Sequence, residues 1–251
     1  MDHNPYTRYI PGSYYAVLMV HGIVGTPAQF RHLIPVIPED WSVYNILLEG
    51  HGGTVRDFAK ASMADWKMQV DVQLHMLLAR HRQILIVGHS MGCLFAIQAA
   101  TRAAKRIPAL FLLQVPFTPH LPLRTCIGSM QLALGHVKPG SMAQTMENAT
   151  AMTLTNQLWQ YLGWIPRYVE LLQEISATRK LLPQLKVPCR SFQSANDELV
   201  SPRTCRYLEA HPYIQNTVLP HSGHFAYSPK DTATLRKELR KLIASIEKST
   251  S

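Results

Sequence analysis

The chain has 251 residues, of which 47% are hydrophobic and 16% charged, a composition that suits one large domain with a substantial buried core. No apolar run approaches the ~18 residues of a membrane span, and the polar stretch from Met1 to Pro11 lacks the basic start and apolar segment of a secretory signal. The formal charge of +9 does not point to nucleic acid, because the basic residues are dispersed and the densest group, Arg236, Lys237, Arg240 and Lys241, forms the polar face of an amphipathic helix with Leu235, Leu239, Leu242, Ile243 and Ile246 on the other face.

In chain order, strand-like runs are predicted over 15–20, 43–48, 84–87, 109–115, 189–193 and 216–219. Helical patterns lie between the first five and after the sixth, with start signals of their own. Thr26-Pro27 offers an N-cap and a first-turn proline. Ser62 with Asp65 reads as a capping box, Ser201-Pro202 repeats the cap-and-proline signal, and Ser228-Pro229 with Asp231 reads as a second box. Strands that alternate with helices imply a parallel sheet covered on both faces. From Pro116 to Leu185 the rhythm breaks, with prolines, short helical patterns, Trp159, Tyr161, Trp164, Tyr168 and the methionines at 130, 142, 146 and 152. That segment, 116–185, is expected to be a helical cap inserted between core segments 1–115 and 186–251.

The chemistry is concentrated in Gly88-His89-Ser90-Met91-Gly92, which follows the buried strand 84–87 and opens a helical pattern through Cys93, Ile97, Ala100 and Ala104. A serine at such a strand-to-helix turn is a nucleophile elbow. A hydroxyl needs a base to take its proton and a carboxylate to orient that base. In this chain order the acid follows the serine, and Glu147, Glu170, Glu174, Asp197, Glu198 and Glu209 all qualify. Asp197 is preferred because its loop directly follows an apolar strand, with Glu198 read as a solvent-exposed neighbour and Glu170 and Glu174 as a solvated helix face. His224 is assigned as base over His221, since Gly223 permits a sharp loop that carries the imidazole over the sheet. The backbone N–H groups of Met91 and Ile23 are the expected oxyanion donors, His21 braces its loop, and Gly50-His51-Gly52-Gly53 is a structural loop. Trp159, Trp164, Met142 and Met146 are candidate linings of the substrate pocket. Cys93, Cys126, Cys189 and Cys205 lack metal spacing and read as reduced thiols of a cytoplasmic protein. No metal and no cofactor is expected.

On HGIVGTP at 21–27, GHGG at 50–53, ADW at 64–66, GHSMG at 88–92, NDELV at 196–200 and HSGH at 221–224, the chain resembles the α/β-hydrolase superfamily, and within it the bacterial carboxylesterases and monoacylglycerol lipases. The resemblance covers 16–105 and 187–246. It implies a mostly parallel sheet with helices on both faces and an inserted cap. It also implies Ser90, Asp197 and His224 as triad, Ile23 and Met91 as oxyanion donors, and short- to medium-chain acyl esters or monoacylglycerols as substrates. The expected partner is therefore a small-molecule ester, with monomer and homodimer both left open. The same triad would serve an acyltransferase or an aminopeptidase, and the fold also serves as a non-catalytic small-molecule receptor.

Overall fold

The computed structural model describes residues 3–250; Met1 and Asp2, in the polar N-terminal stretch, and Ser251 lie outside the described residues. The elements, in order, are β1 (Tyr6–Arg8), β2 (Tyr15–Val20), β3 (Ser42–Asn45), α1 (Val55–Lys60), α2 (Met63–Arg80), β4 (Gln83–His89), α3 (Met91–Arg102), β5 (Leu110–Leu113), α4 (Leu123–Ala133), α5 (Met142–Ala149), α6 (Ile165–Leu181), β6 (Cys189–Ser194), α7 (Cys205–Glu209), β7 (Ile214–Leu219) and α8 (Pro229–Thr250). Short 3-10 turns at Pro27–Phe30, Ile34–Val36, Leu158–Trp164, Leu182–Gln184 and Pro202–Thr204 fill several of the connections.

The strands form one seven-stranded sheet in the order β1-β3-β2-β4-β5-β6-β7. Every pairing is parallel except that of β1 with β3, where Tyr6 faces Asn45 and Arg8 faces Val43. The six expected strands are all present. The antiparallel β1 was not anticipated, because three residues carry no alternation to read. β3 is shorter than the apolar run that suggested it and ends at Asn45.

Side chains alternate across a pleated strand, and here alternate residues feed two separate cores. Ala16, Leu18, Val20, Ile84, Ile86, Leu110 and Leu112 face a core built with α2 and α3. Val17, Met19, Leu85, Val87, Phe111 and Leu113 face the opposite core, closed by Leu235, Leu239, Leu242, Ile243 and Ile246 of α8. Both faces are therefore dry, which is why the central strands read as unbroken apolar runs.

Thr26 and Ser62 cap as expected, the latter in a complete box with Asp65. A second box, Thr54 with Asp57, starts α1. The third expected box does not close. The Ser228 hydroxyl accepts the Asp231 N–H, but the Asp231 carboxylate turns away to the His221 N–H at 2.9 Å and the Ser222 hydroxyl at 2.6 Å. It pins the loop that carries His224.

Residues 116–185 divide into two parts. α4 and α5 pack on each other, so tightly that a Cβ on Gly128 would stand 2.6 Å from the Met142 side chain. α6 instead packs on α3, with Ile175 and Leu182 inside the main core. Its acidic residues are not the solvated face expected. Glu170 Oε2 accepts the N–H of Met63, a first-turn donor of α2 that has no partner within its helix, at 2.9 Å. Glu174 takes the Lys67 ammonium at 3.1 Å and also the Gln98 amide. The carboxylates dock α6 onto α2 and α3. Among the described residues no helix is long and apolar enough to cross a membrane.

Candidate active site

The elbow is built by close approach. β4 delivers Ser90 at the edge of the sheet, and the chain reverses at once into α3. Ser90 takes φ 51° and ψ −118°, a left-handed backbone that costs an L residue about 1–3 kcal/mol. The reversal is locked by the Ser90 N–H donating to the Leu113 carbonyl at 2.8 Å and by the Cys93 N–H donating to the Ser90 carbonyl at 2.9 Å. A Cβ on Gly92 would fall 1.9 Å from the Val20 carbonyl oxygen, and one on Gly88 would fall 2.8 Å from the Cys93 backbone. The flanking glycines are needed because α3 presses against the ends of β2 and β4. Cys93 itself is buried filler with its thiol on the Leu113 carbonyl.

Ser90 is the N-cap residue of α3, yet its hydroxyl makes no capping bond. The first-turn N–H groups of a helix have no partner within it, and the Met91 N–H is the first of them. The loop after β2 runs alongside, with Gly22 so close that a Cβ there would sit 2.8 Å from the Ser90 Cβ. A turn closed by the Gly25 N–H on the Gly22 carbonyl at 3.0 Å encloses Ile23 and Val24, and Val24 is left-handed at φ 58°. His21 braces this loop, accepting the Leu48 N–H at its Nε2 at 3.0 Å while its Nδ1 lies 2.8 Å from the Gly22 carbonyl. His51 of the GHGG loop is buried edge-on to His21, Phe58 and Trp66.

Asp197 and His224 meet directly. The imidazole Nδ1 lies 3.0 Å from each carboxylate oxygen, and both side chains are buried. Oδ1 also accepts the N–H groups of Leu199 at 2.8 Å and Val200 at 2.6 Å. Burial works to raise the Asp197 pKa, but the adjacent His224, through its charge and its hydrogen bond, and the two backbone donors outweigh it and hold the carboxyl below its usual 3.8. An ionised carboxylate can only accept, so Nδ1 carries the proton and Nε2 is left as the basic pole. The His224 ring packs edge-on to His89, 5.0 Å between centroids, which sets it beside the residue that precedes Ser90.

Glu198 is not solvent-exposed. It is 9% exposed and its Oε2 accepts the His224 backbone N–H at 2.5 Å. Gln114, which no sequence signal singled out, lies at the end of β5 and donates from Nε2 to the Gly223 carbonyl at 3.3 Å. The residues expected at the pocket sit as follows. Trp159 is 64% exposed. Trp164 belongs to the main core, packed on Phe58, with its indole N–H on the Val55 carbonyl at 3.0 Å. Met142 packs on Gly128, and the Met146 sulfur accepts the Ser129 hydroxyl at 3.6 Å, both between α4 and α5.

The sequence profile of the α/β hydrolase fold family matches residues 15–175. The chain belongs to that family. This α/β hydrolase is 34% identical over 77 residues to a thermostable monoacylglycerol lipase of Bacillus sp. (strain H-257), a match that spans 30% of the chain and 31% of that lipase. Among solved structures it resembles a metagenome-derived lipolytic enzyme from work on LipS and LipT (20% identity, 96% and 98% of the two chains, TM-score 0.73). It also resembles the monoacylglycerol lipase of Paleococcus ferrophilus (16% identity, 98% and 100% covered, TM-score 0.68). At those identities the likeness is one of fold.

The buried imidazoles of this α/β hydrolase make its stability acid-sensitive. Burial holds His21 down to about 4, although the bond to the Gly22 carbonyl works in the other direction. Burial, and after it the charge of His224, holds His89 to about 3. Both folded values lie below the unfolded 6.5, so the unfolded chain binds more protons as pH falls. The stability from neutral burial is complete above pH 6.5 and is lost on the way down to about 4. Each group contributes a slope of up to about 1.4 kcal/mol per pH unit, hence about 2.7 kcal/mol per unit for the two. Urea unfolding at pH 6.5 and 5.5 should show a drop of at least ~2 kcal/mol. Equal stabilities would mean that both imidazoles charge in place.

Proposed function

We propose that this α/β hydrolase is a serine carboxylesterase acting on short- to medium-chain acyl esters or monoacylglycerols. The observation that carries the reading is the buried Asp197–His224 pair, aligned through Nδ1 and set beside the elbow that presents Ser90. Ser90 Oγ attacks the ester carbonyl carbon while His224 Nε2 takes its proton. The Met91 and Ile23 N–H groups receive the negative charge that develops on the carbonyl oxygen. The imidazolium then protonates the departing alcohol oxygen as the C–O bond breaks, which leaves an acyl-Ser90. Water adds by the same route and releases the acid. No step calls on a metal or a cofactor. α4 and α5 are read as the cap over the acyl site. The free thiols of Cys93, Cys126, Cys189 and Cys205 suit a cytoplasmic location.

An aminopeptidase on the same triad would need cap carboxylates free to hold a substrate ammonium. Glu170 and Glu174 are already bound to Met63, Arg167, Lys67 and Gln98, which argues against that reading. The test is hydrolysis of p-nitrophenyl esters from acetate to palmitate. Turnover with a chain-length optimum is expected, rising by about 0.8 kcal/mol per buried methylene until the pocket is filled. No turnover of any ester would reject the proposal in favour of acyl transfer to a dedicated acceptor or of a ligand receptor.

A further inference from the structure

Asp197 and Glu198 are adjacent in sequence and both reach His224, by different handles. Asp197 takes the ring. Glu198 takes the main chain, its Oε2 accepting the His224 N–H at 2.5 Å. On the other side of that same peptide group, the Gly223 carbonyl accepts from Gln114 Nε2 at 3.3 Å. The peptide joining Gly223 to His224 is therefore gripped at both its donor and its acceptor. One residue on, the His224 carbonyl lies 3.2 Å from His89 Nε2.

Each jaw is fixed in turn. Gln114 is fully buried with a left-handed φ of 58°, its Oε1 accepts the Ser194 N–H at 2.8 Å, and its Nε2 also reaches the Ser194 hydroxyl. The Glu198 carbonyl accepts the hydroxyl of buried Thr125, from the first turn of α4, at 3.2 Å. Gly223 lies so close to the carboxylate that a Cβ would stand 2.5 Å from Oε1 and 2.6 Å from Oε2. The glycine is thus needed for this approach. Withdrawing a carboxylate from water is costly unless its lone pairs are used, and the fold accepts that cost at the backbone of the residue assigned as base.

We propose that Glu198 and Gln114 form a clamp on the Gly223–His224 peptide and act as positioning residues for His224. Asp197 sets the rotation of the imidazole, and the clamp sets the point from which the ring hangs. Proton transfer depends steeply on this placement, since an error of about 1 Å in a reacting group costs on the order of 10² in rate. The effect on rate rests on the esterase reading above; the effect on the backbone does not.

The experiment compares wild type, Glu198→Ala and Glu198→Gln in ester hydrolysis and in hydrogen exchange of the His224 amide followed by NMR. The clamp predicts that Glu198→Ala loses about 10²-fold in kcat with KM unchanged, and that its His224 amide exchanges at least ~10-fold faster. Glu198→Gln keeps an acceptor oxygen and should restore both to within about threefold of wild type. If Glu198→Ala does not fold, Gly223→Ala, which pushes the carboxylate away without removing it, is read by the same two criteria. An alanine variant that keeps wild-type kcat, or keeps the His224 amide protected, would overturn the clamp, as would a glutamine variant no better than alanine. A wild type with no ester turnover would reject the esterase reading, and the amide exchange would still decide the clamp.

Discussion

Ser90→Ala should lower kcat by about 10⁶ while leaving the fold intact. Both halves of that expectation come from the geometry of the elbow. The chemistry needs an oxygen at the top of α3, and alanine has none to offer. The fold does not need that oxygen, because the Ser90 hydroxyl caps nothing and the turn is held by the backbone bonds of residue 90 to Leu113 and Cys93. Alanine also meets φ 51° under the same steric penalty that serine pays, so the melting temperature should stay within a few degrees of wild type. Ser90→Gly is the instructive contrast. Glycine adopts this backbone freely, so it should be equally inactive but more stable, by about 1 kcal/mol. Steady-state hydrolysis of the best p-nitrophenyl ester, with thermal melts alongside, checks both variants. A Ser90→Ala enzyme that retained even about 1% of wild-type kcat would remove Ser90 from the nucleophile's role.

The parts of this site legible in the sequence are those whose logic is local. An apolar strand, a glycine, a serine and a helical pattern follow one another within a few residues of Ser90, and the strain and close packing at that turn impose the sequence directly. Asp197 and His224 could be placed because each sits in a short loop between well-patterned elements. Glu198 was misread because its partner, the His224 N–H, is a main-chain group that leaves no mark in composition, across a separation of 26 residues. Gln114 works across 109 residues, and a polar residue at a strand end has many ordinary explanations. The carboxylates of Glu170 and Glu174 looked solvated since their helical spacing does not say whether another helix lies above them. Asp231 shows the limit of a local rule. The spacing from Ser228 fits a capping box, yet the Ser222 hydroxyl and His221 N–H compete for the same oxygen and win it. Only β1 and α1 were missed as elements, the first for its brevity, the second although Thr54 and Asp57 spell its start.

Asp197→Asn should cost about 10⁴ in kcat, or about 5.5 kcal/mol of transition-state stabilisation. The backbone decides which way the new amide faces. Oδ1 of residue 197 accepts two N–H donors, from Leu199 at 2.8 Å and Val200 at 2.6 Å, and an NH₂ group placed there would confront both. The amide oxygen must therefore stay with the backbone donors, which turns the NH₂ toward His224 Nδ1. That nitrogen becomes an acceptor, the proton moves to Nε2, and the pole that should take the Ser90 proton is blocked. Protonation of the native Asp197 would have a related effect, but its carboxyl is held below 3.8, so it stays ionised through the pH range in which the buried histidines still allow a stable fold. Glu198→Gln supplies the control, because it makes the same chemical change one residue away. Its oxygen can still take the His224 N–H, and its amide faces no ring nitrogen of the base, so near-wild-type kcat is expected. A silent Asp197→Asn together with a crippled Glu198→Gln would transfer the acid's role to Glu198. The reverse pattern would show that two neighbouring carboxylates serve one histidine in separate ways, one fixing its tautomer and the other its backbone.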